Sequence, residues 1–205
     1  MNGGRRRPGP PAPEDPARPR LFFAVPLPDA VREAIRPIRD AVQAGVGDGN
    51  ARIRWVRIES LHLTLRFLGP QPLDAAPELG RAAEAAASVV RPFDVTIAGA
   101  GAFPEGGRPR TLWLGLRAGA DELARLASAL DRALPAEHGE ARPFTPHLTI
   151  ARTDGLRLAG DAARALAAAA DGHEWSFRAD RVVLFRSHLG RGPAWYEPLA
   201  EVPLG

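Results

Sequence analysis

Two short segments of this 205-residue chain carry the same arrangement of reactive side chains. One is Leu61-His62-Leu63-Thr64-Leu65-Arg66-Phe67, and the other is Pro146-His147-Leu148-Thr149-Ile150-Ala151-Arg152. Side chains of an extended strand alternate between its two faces. The first segment therefore predicts His62, Thr64 and Arg66 on a polar face, with Leu61, Leu63, Leu65 and Phe67 on a packing face. The second predicts His147 and Thr149 together, opposite Leu148 and Ile150. Strict counting puts Arg152 on the wrong face, so it joins the histidine only if the strand ends or bulges near Ala151. Histidine titrates near pH 6.5, so two imidazoles in one cleft can hold opposite protonation states at neutral pH. Cleavage of a phosphodiester needs that division of labour, because the attacking oxygen must lose a proton while the leaving oxygen gains one. Threonine hydroxyls two residues along can donate to the non-bridging oxygens, and an arginine can offset the charge that builds there. Such a pair predicts a bell-shaped pH profile centred near neutrality.

A single His-x-Thr in a strand says little, since threonine forms strands readily and most lone histidines are structural. Two copies in separate halves leave two readings open, a shared phosphate site or a pair of core strands. Zinc fits less well, because each strand offers one ligand and no clustered carboxylate or further histidine stands beside either. His138, His173 and His188 have no such context and are expected on the surface or in loops. Phe103-Pro104-Glu105-Gly106-Gly107 lacks the lysine and following helix of a nucleotide-binding loop and is expected to join two strands. Phe22, Phe23, Phe67, Trp55 and Trp113 could stack on a base, but at strand positions the expectation is core. Trp195-Tyr196 is expected to pack a final strand.

The elements that must position these residues follow from periodicity and punctuation. Strands are predicted over Arg20–Pro26, Arg52–Arg57, Leu61–Leu68, Phe93–Ala98, Thr111–Leu116, Pro146–Arg152, Arg181–Arg186 and Trp195–Val202. Helices are predicted from Asp29 to about Gly45, with a kink at Pro37, and over Asp74–Val90, Leu123–Leu134 and Asp161–Ala170. Asp121 is the expected cap of the third helix. This order indicates an α+β fold with one motif strand in each half.

Composition narrows the setting. The chain is 45% hydrophobic and 25% charged, the balance of an ordinary globular protein, and no run approaches a membrane span. With no cysteine there is no disulfide framework and no thiolate nucleophile, which suits the cytoplasm. All 27 basic residues are arginine, which inflates the pI of 10.7, while the net charge is only +3. Arg5, Arg6, Arg7, Arg18 and Arg20 against Glu14 and Asp15 place that whole excess in the first 20 residues. The remainder is neutral, so bulk charge does not argue for wrapping long nucleic acid. Residues 1–19, rich in Pro, Gly and Arg, are expected to form a disordered tail before one folded domain over 20–205.

Beyond the two motifs, the segments RLFFAVPLP, RWVRIESLHLTLRFLG, FPEGGRPRTLWLGL, RPFTPHLTIAR and RVVLFRSHLG occur in an order that resembles the two-histidine (2H) phosphoesterases. The likeness is to the RNA 2',3'-cyclic phosphodiesterases of LigT or ThpR type, also known as the 2'-5' RNA ligase family, and it covers nearly all of residues 20–204. What the resemblance implies is a bilobal, pseudo-two-fold α+β fold, with antiparallel sheets lining a central cleft and helices outside. It implies hydrolysis of RNA 2',3'-cyclic phosphate ends to 2'-phosphates, without metal or cofactor, or the related 2',5' ligase or phosphodiesterase chemistry in the same site. A module that binds RNA ends without turnover is the alternative from another class. By the same resemblance His62 is the proton donor, His147 the proton acceptor, and Thr64 and Thr149 hold the phosphate. Arg66 stands where many relatives carry lysine, and Arg66 and Arg152 are the candidate cationic contacts. The expected partners are RNA ends, tRNA among them, or nucleoside 2',3'-cyclic phosphates. A monomer with no membrane association is expected.

Overall fold

The computed structural model describes residues 15, 17–47, 52–105, 108–135, 138, 143–155, 157–188 and 193–205. Most of the predicted tail, and the glycines of the Phe103–Gly107 segment, lie outside these residues. Pro19, counted with the tail, is buried, and its carbonyl accepts the Gln71 N–H at 2.9 Å. The elements are β1 (Arg20–Pro26), α1 (Asp29–Gly45), β2 (Ile53–Trp55), β3 (His62–Pro70), α2 (Ala76–Ala87), β4 (Phe93–Phe103), β5 (Thr111–Ala118), α3 (Ala120–Ala133), β6 (Leu148–Thr153), α4 (Leu158–Ala170), β7 (Glu174–Ala179), β8 (Arg181–His188) and β9 (Trp195–Pro203). The helix α1 runs through Pro37. Strand β7 was not among the expected elements, although Trp175, Phe177 and Ala179 alternate with exposed residues in a strand's period. Gly119, left-handed at φ 85°, takes the cap position of α3 expected for Asp121, which lies instead in the first turn, where its charge suits the helix dipole.

The strands form one antiparallel sheet in the order β7-β4-β5-β6-β3-β1-β8-β9, with β2 pairing β6. The sheet has two halves, β7-β4-β5-β6 with β2 beside β6 and β3-β1-β8-β9, and β3 and β6 join them through a single bridge between Leu63 and Leu148. Both leucines are buried, and they belong to one core cluster with Phe23, Val25, Leu112 and Leu114 from the strands and Leu79, Leu126 and Leu166 from the helices. The helices therefore cover this face. Helix α2 packs on β8 and β9, α4 on β4 and β5, and α3 on β3 and β5. Alanines supply much of the helical contact, notably Ala82, Ala83, Ala86 and Ala87 of α2, and small side chains let a helix approach a sheet closely. Among the described residues no helix is long and apolar enough to cross a membrane.

Two irregularities decide what reaches the other face. On β3 the partners of Phe23 and Ala24 are Arg66 and Thr64, so Leu65 is an extra, bulged residue. On β6 the partners of Leu112 and Trp113 are Ala151 and Thr149, so Ile150 is bulged in the same place relative to its threonine. A bulge reverses the alternation beyond it. Arg66, predicted to share a face with His62 and Thr64, is turned to the helical side, where it is 7% exposed and its Nε lies 3.1 Å from Asp131 of α3. The residue after it, Phe67, leaves the packing face predicted for it and stands 58% exposed on the histidine face. On β6 the reversal brings Arg152 to the face of Thr149, which is the condition its participation required. Arg66→Ala should therefore behave as a core lesion, costing about 3 kcal/mol in urea denaturation by removing one partner of a buried ion pair, while the substrate KM stays within about twofold.

Candidate active site

The Leu63–Leu148 bridge sets the geometry of the site. Extending that antiparallel register by one residue each way puts His62 opposite Thr149, and Thr64 opposite His147, all on the face away from the helices. The four polar side chains of the two motifs thus form one patch, on strands that also pair in the core. The motif strands do pair in the core, and their polar faces meet on one surface.

Each imidazole is oriented by the backbone that precedes it. His62 Nδ1–H donates to the Ser60 carbonyl at 2.8 Å, and His147 Nδ1–H donates to the Thr145 carbonyl at 2.7 Å. With Nδ1 so engaged, the neutral ring carries its lone pair on Nε2, the atom left to exchange protons. The Thr64 hydroxyl donates to His62 Nε2 at 2.9 Å. Behind His62 lies an aromatic wall, with ring centroids of Phe22 at 4.9 Å and Tyr196 at 5.0 Å, the latter edge-on. Phe22 also contacts Phe67 and Phe185, at 5.5 and 5.4 Å. Behind His147 stands Phe103 at 5.2 Å, itself 5.0 Å from Trp113. Trp113 lies across Gly101, where a Cβ would collide with the indole, so only glycine fits beneath it.

Charge and burial tune both rings in the same direction. Burial pushes the His62 imidazole down to about 4, with the Ser60 carbonyl opposing and the charges of Arg152 and His147 adding to the drop. His147 is also lowered, first by burial and then by Arg152, against the pull of the Thr145 carbonyl. Arg152 acts on the Tyr196 hydroxyl as well, limiting the rise that burial causes there. The Arg152 charge therefore bears on His62, His147 and Tyr196 from the histidine face to which the β6 bulge turns it.

The structure thus brings together His62, His147, Thr64, Thr149 and Arg152, and removes Arg66. Sequence reasoning missed Tyr196, read only as packing, and Phe67 as an exposed surface, because alternation counted through the Leu65 bulge put Phe67 on the packing face. Of the assigned aromatics, Phe23 is core and Trp55 packs against it, while Phe22 is buried on the histidine face. His173 is exposed and stacked on Trp175, as a surface histidine would be. His188 is half-buried at the end of β8, stacked on Trp195 and 2.7 Å from Glu197. His138, expected at the surface, is 5% exposed and donates from Nδ1 to Gln71 Oε1 at 2.9 Å, because the side-chain amide gives it a buried partner. Among the described residues there is no group of three or more His, Cys, Asp or Glu side chains that could hold a metal ion.

A family model described as the 2'-5' RNA ligase superfamily matches residues 23–191. A Geobacillus stearothermophilus protein named RNA 2',3'-cyclic phosphodiesterase is 33% identical over 202 residues, covering 91% of this chain and 58% of that protein. An Escherichia coli protein of the same name is 34% identical over 188 residues, covering 88% of this chain and 93% of that one. Among solved structures, E. coli LigT complexed with 3'-AMP superposes with a TM-score of 0.68 at 30% identity, over 91% of this chain and 98% of LigT. The protein TT0787 of Thermus thermophilus gives 0.70 at 27% identity, over 90% of this chain and 97% of that one.

The depressed His62 has a consequence for stability. A ring harder to protonate in the folded than in the unfolded chain makes the unfolded chain bind more protons as pH falls. This contribution is complete above about pH 6.5, the unfolded value, and is lost as pH falls toward 4, the folded one. Urea denaturation at pH 7 and pH 4.5 should show a smaller acid loss in His62→Gln than in the wild type. NMR titration should place the His62 midpoint well below the ordinary imidazole value of about 6.5.

Proposed function

The chain belongs to the 2'-5' RNA ligase superfamily, and on that footing we propose that it hydrolyses RNA 2',3'-cyclic phosphodiester ends to 2'-phosphomonoesters by two-histidine, metal-independent acid-base catalysis. What carries the reading is the shared arrangement of the imidazoles, each with Nδ1–H held by a backbone carbonyl and Nε2 left for proton exchange, on one surface beside Arg152. The relatives named RNA 2',3'-cyclic phosphodiesterase and the LigT complex with 3'-AMP support the substrate class.

In this mechanism His147 Nε2 takes a proton from water as its oxygen attacks phosphorus. The P–O3' bond breaks, and His62, protonated at Nε2, delivers a proton to the departing 3'-oxygen. The product is a 2'-phosphate with a free 3'-hydroxyl, and the rings exchange protons with solvent to reset. The donor role of His62 follows the family resemblance. A bound phosphate monoanion supplies the negative charge that favours imidazolium, offsetting the burial that holds His62 neutral. Thr64 and Thr149 donate to non-bridging oxygens, Thr64 exchanging its bond to Nε2 for one to phosphate. Arg152 offsets the charge that builds on those oxygens, and Phe67, beside Phe22, offers a face on which the terminal base stacks.

Both rings are depressed in the free protein, so the kcat/KM profile should be bell-shaped with its optimum on the acid side of the neutral pH that unperturbed histidines would give. A flat profile from about pH 5 to 9 would contradict the acid-base assignment. The purified, chelator-treated protein should convert nucleoside 2',3'-cyclic phosphates and RNA ending in one to the 2'-phosphate alone, as chromatography of the product isomers would establish. His62→Ala and His147→Ala should each lower kcat by about 10²- to 10⁴-fold, with a double loss less than multiplicative. Wild-type turnover in either variant would refute the mechanism.

A further inference from the structure

Strand β2 carries a charge that the reaction just described does not use. Arg54 is the cross-strand partner of Arg152, and directly opposed residues of an antiparallel pair point to the same side. The neighbouring pair, Ile53 and Thr153, is buried on the helical side. Arg54 therefore stands on the histidine face, next to Arg152 and farther from the bridge between the motif strands. Like charges opposed across two strands are unfavourable, and the charge of Arg54 does act on Arg152. More cations gather at the same end. The Asp154 carboxyl is held below the usual carboxylate range by Arg54, 2.9 Å away, and then by Arg52 and Arg110. Arg54 thus contacts the carboxylate while the charges of Arg52 and Arg110 also act on it, with Arg152 beside Arg54, in a chain whose net charge beyond residue 20 is zero. All four arginines are exposed, and the Arg54–Asp154 pair is of the solvent-screened kind worth little on its own, so a phosphate can take Arg54 from Asp154.

We infer that Arg54, flanked by Arg52 and Arg110, is a second phosphate subsite, which binds the phosphodiester one nucleotide upstream of the reacting end. This rests on the reading of the histidine pair as a cyclic phosphodiesterase site. The terminal nucleotide has its base toward the aromatic side, at Phe67, and its reacting phosphate between the imidazoles. Its 5' side runs toward β2, where the next backbone anion meets Arg54. A mononucleoside cyclic phosphate has no such anion, so the site favours oligonucleotides through a contact remote from the chemistry.

The test compares kcat/KM for adenosine 2',3'-cyclic phosphate, for a tetranucleotide ending in the same group, and for that tetranucleotide with an uncharged methylphosphonate as its first upstream linkage. The wild type should prefer the all-phosphate tetranucleotide over the mononucleotide by about tenfold, the scale of one charged hydrogen bond. The methylphosphonate should abolish that preference. Arg54→Ala should abolish it too while changing mononucleotide turnover less than twofold, and Arg54→Glu should make the tetranucleotide the poorer substrate. The salt dependence for the tetranucleotide should be shallower in Arg54→Ala by about 0.7 in log–log slope, one released counterion contact on a single strand. A preference that survives both Arg54→Ala and the methylphosphonate, or equal rates on mononucleotide and tetranucleotide, would overturn the subsite and leave the proposed reaction standing. Failure of the wild type to cleave either substrate would overturn the reaction itself, and the subsite with it.

Discussion

The contact on which the active-site geometry depends is the bridge between Leu63 and Leu148. Each leucine is flanked in sequence by a histidine and, two residues after that histidine, a threonine. Burying the leucines against the helices fixes which way the motif strands face, and pairing them in antiparallel register sets each histidine against the other strand's threonine. A slip of one residue would send every polar group of that strand into the core. The hydrophobic burial of two side chains is therefore what holds the polar residues of two distant segments in register.

The bulges at Leu65 and Ile150 give this arrangement its asymmetry of chemistry. Each falls directly after the motif threonine and delivers the third residue beyond that threonine to the histidine face. In one half that residue is Phe67, joined to an aromatic wall of Phe22, Phe185 and Tyr196. In the other it is Arg152, beside Arg54. One backbone device thus presents an apolar ring on one side of the histidines and cations on the other. A nucleotide divides the same way, with a stacking base and an anionic backbone.

Electrostatics and packing pull against each other at the histidines. The rings that orient His62 also strip it of water, and the guanidinium suited to a phosphate raises the cost of protonating either imidazole. Both rings are consequently held toward their neutral forms.

The two motifs, their placement on strands and the α+β element order apart from β7 were legible in the amino-acid sequence, because strand alternation and helical spacing are local properties that neighbouring residues encode, while the family was legible through the resemblance of whole segments in their order. So was the condition under which Arg152 could join the site. That Leu65 and Ile150 bulge was not, since a bulge depends on how a strand meets its neighbours, and β1 and β5 come from elsewhere in the chain. Arg66 was misplaced for that reason, and Phe67 and Tyr196 were read as packing residues. The burial of His138 was equally hidden, because its partner Gln71 lies 67 residues away. The nearness of Arg54 to Arg152 and the lowered proton affinities of the histidines arise only when separate strands share a face, where distance through space and the exclusion of water replace spacing along the chain.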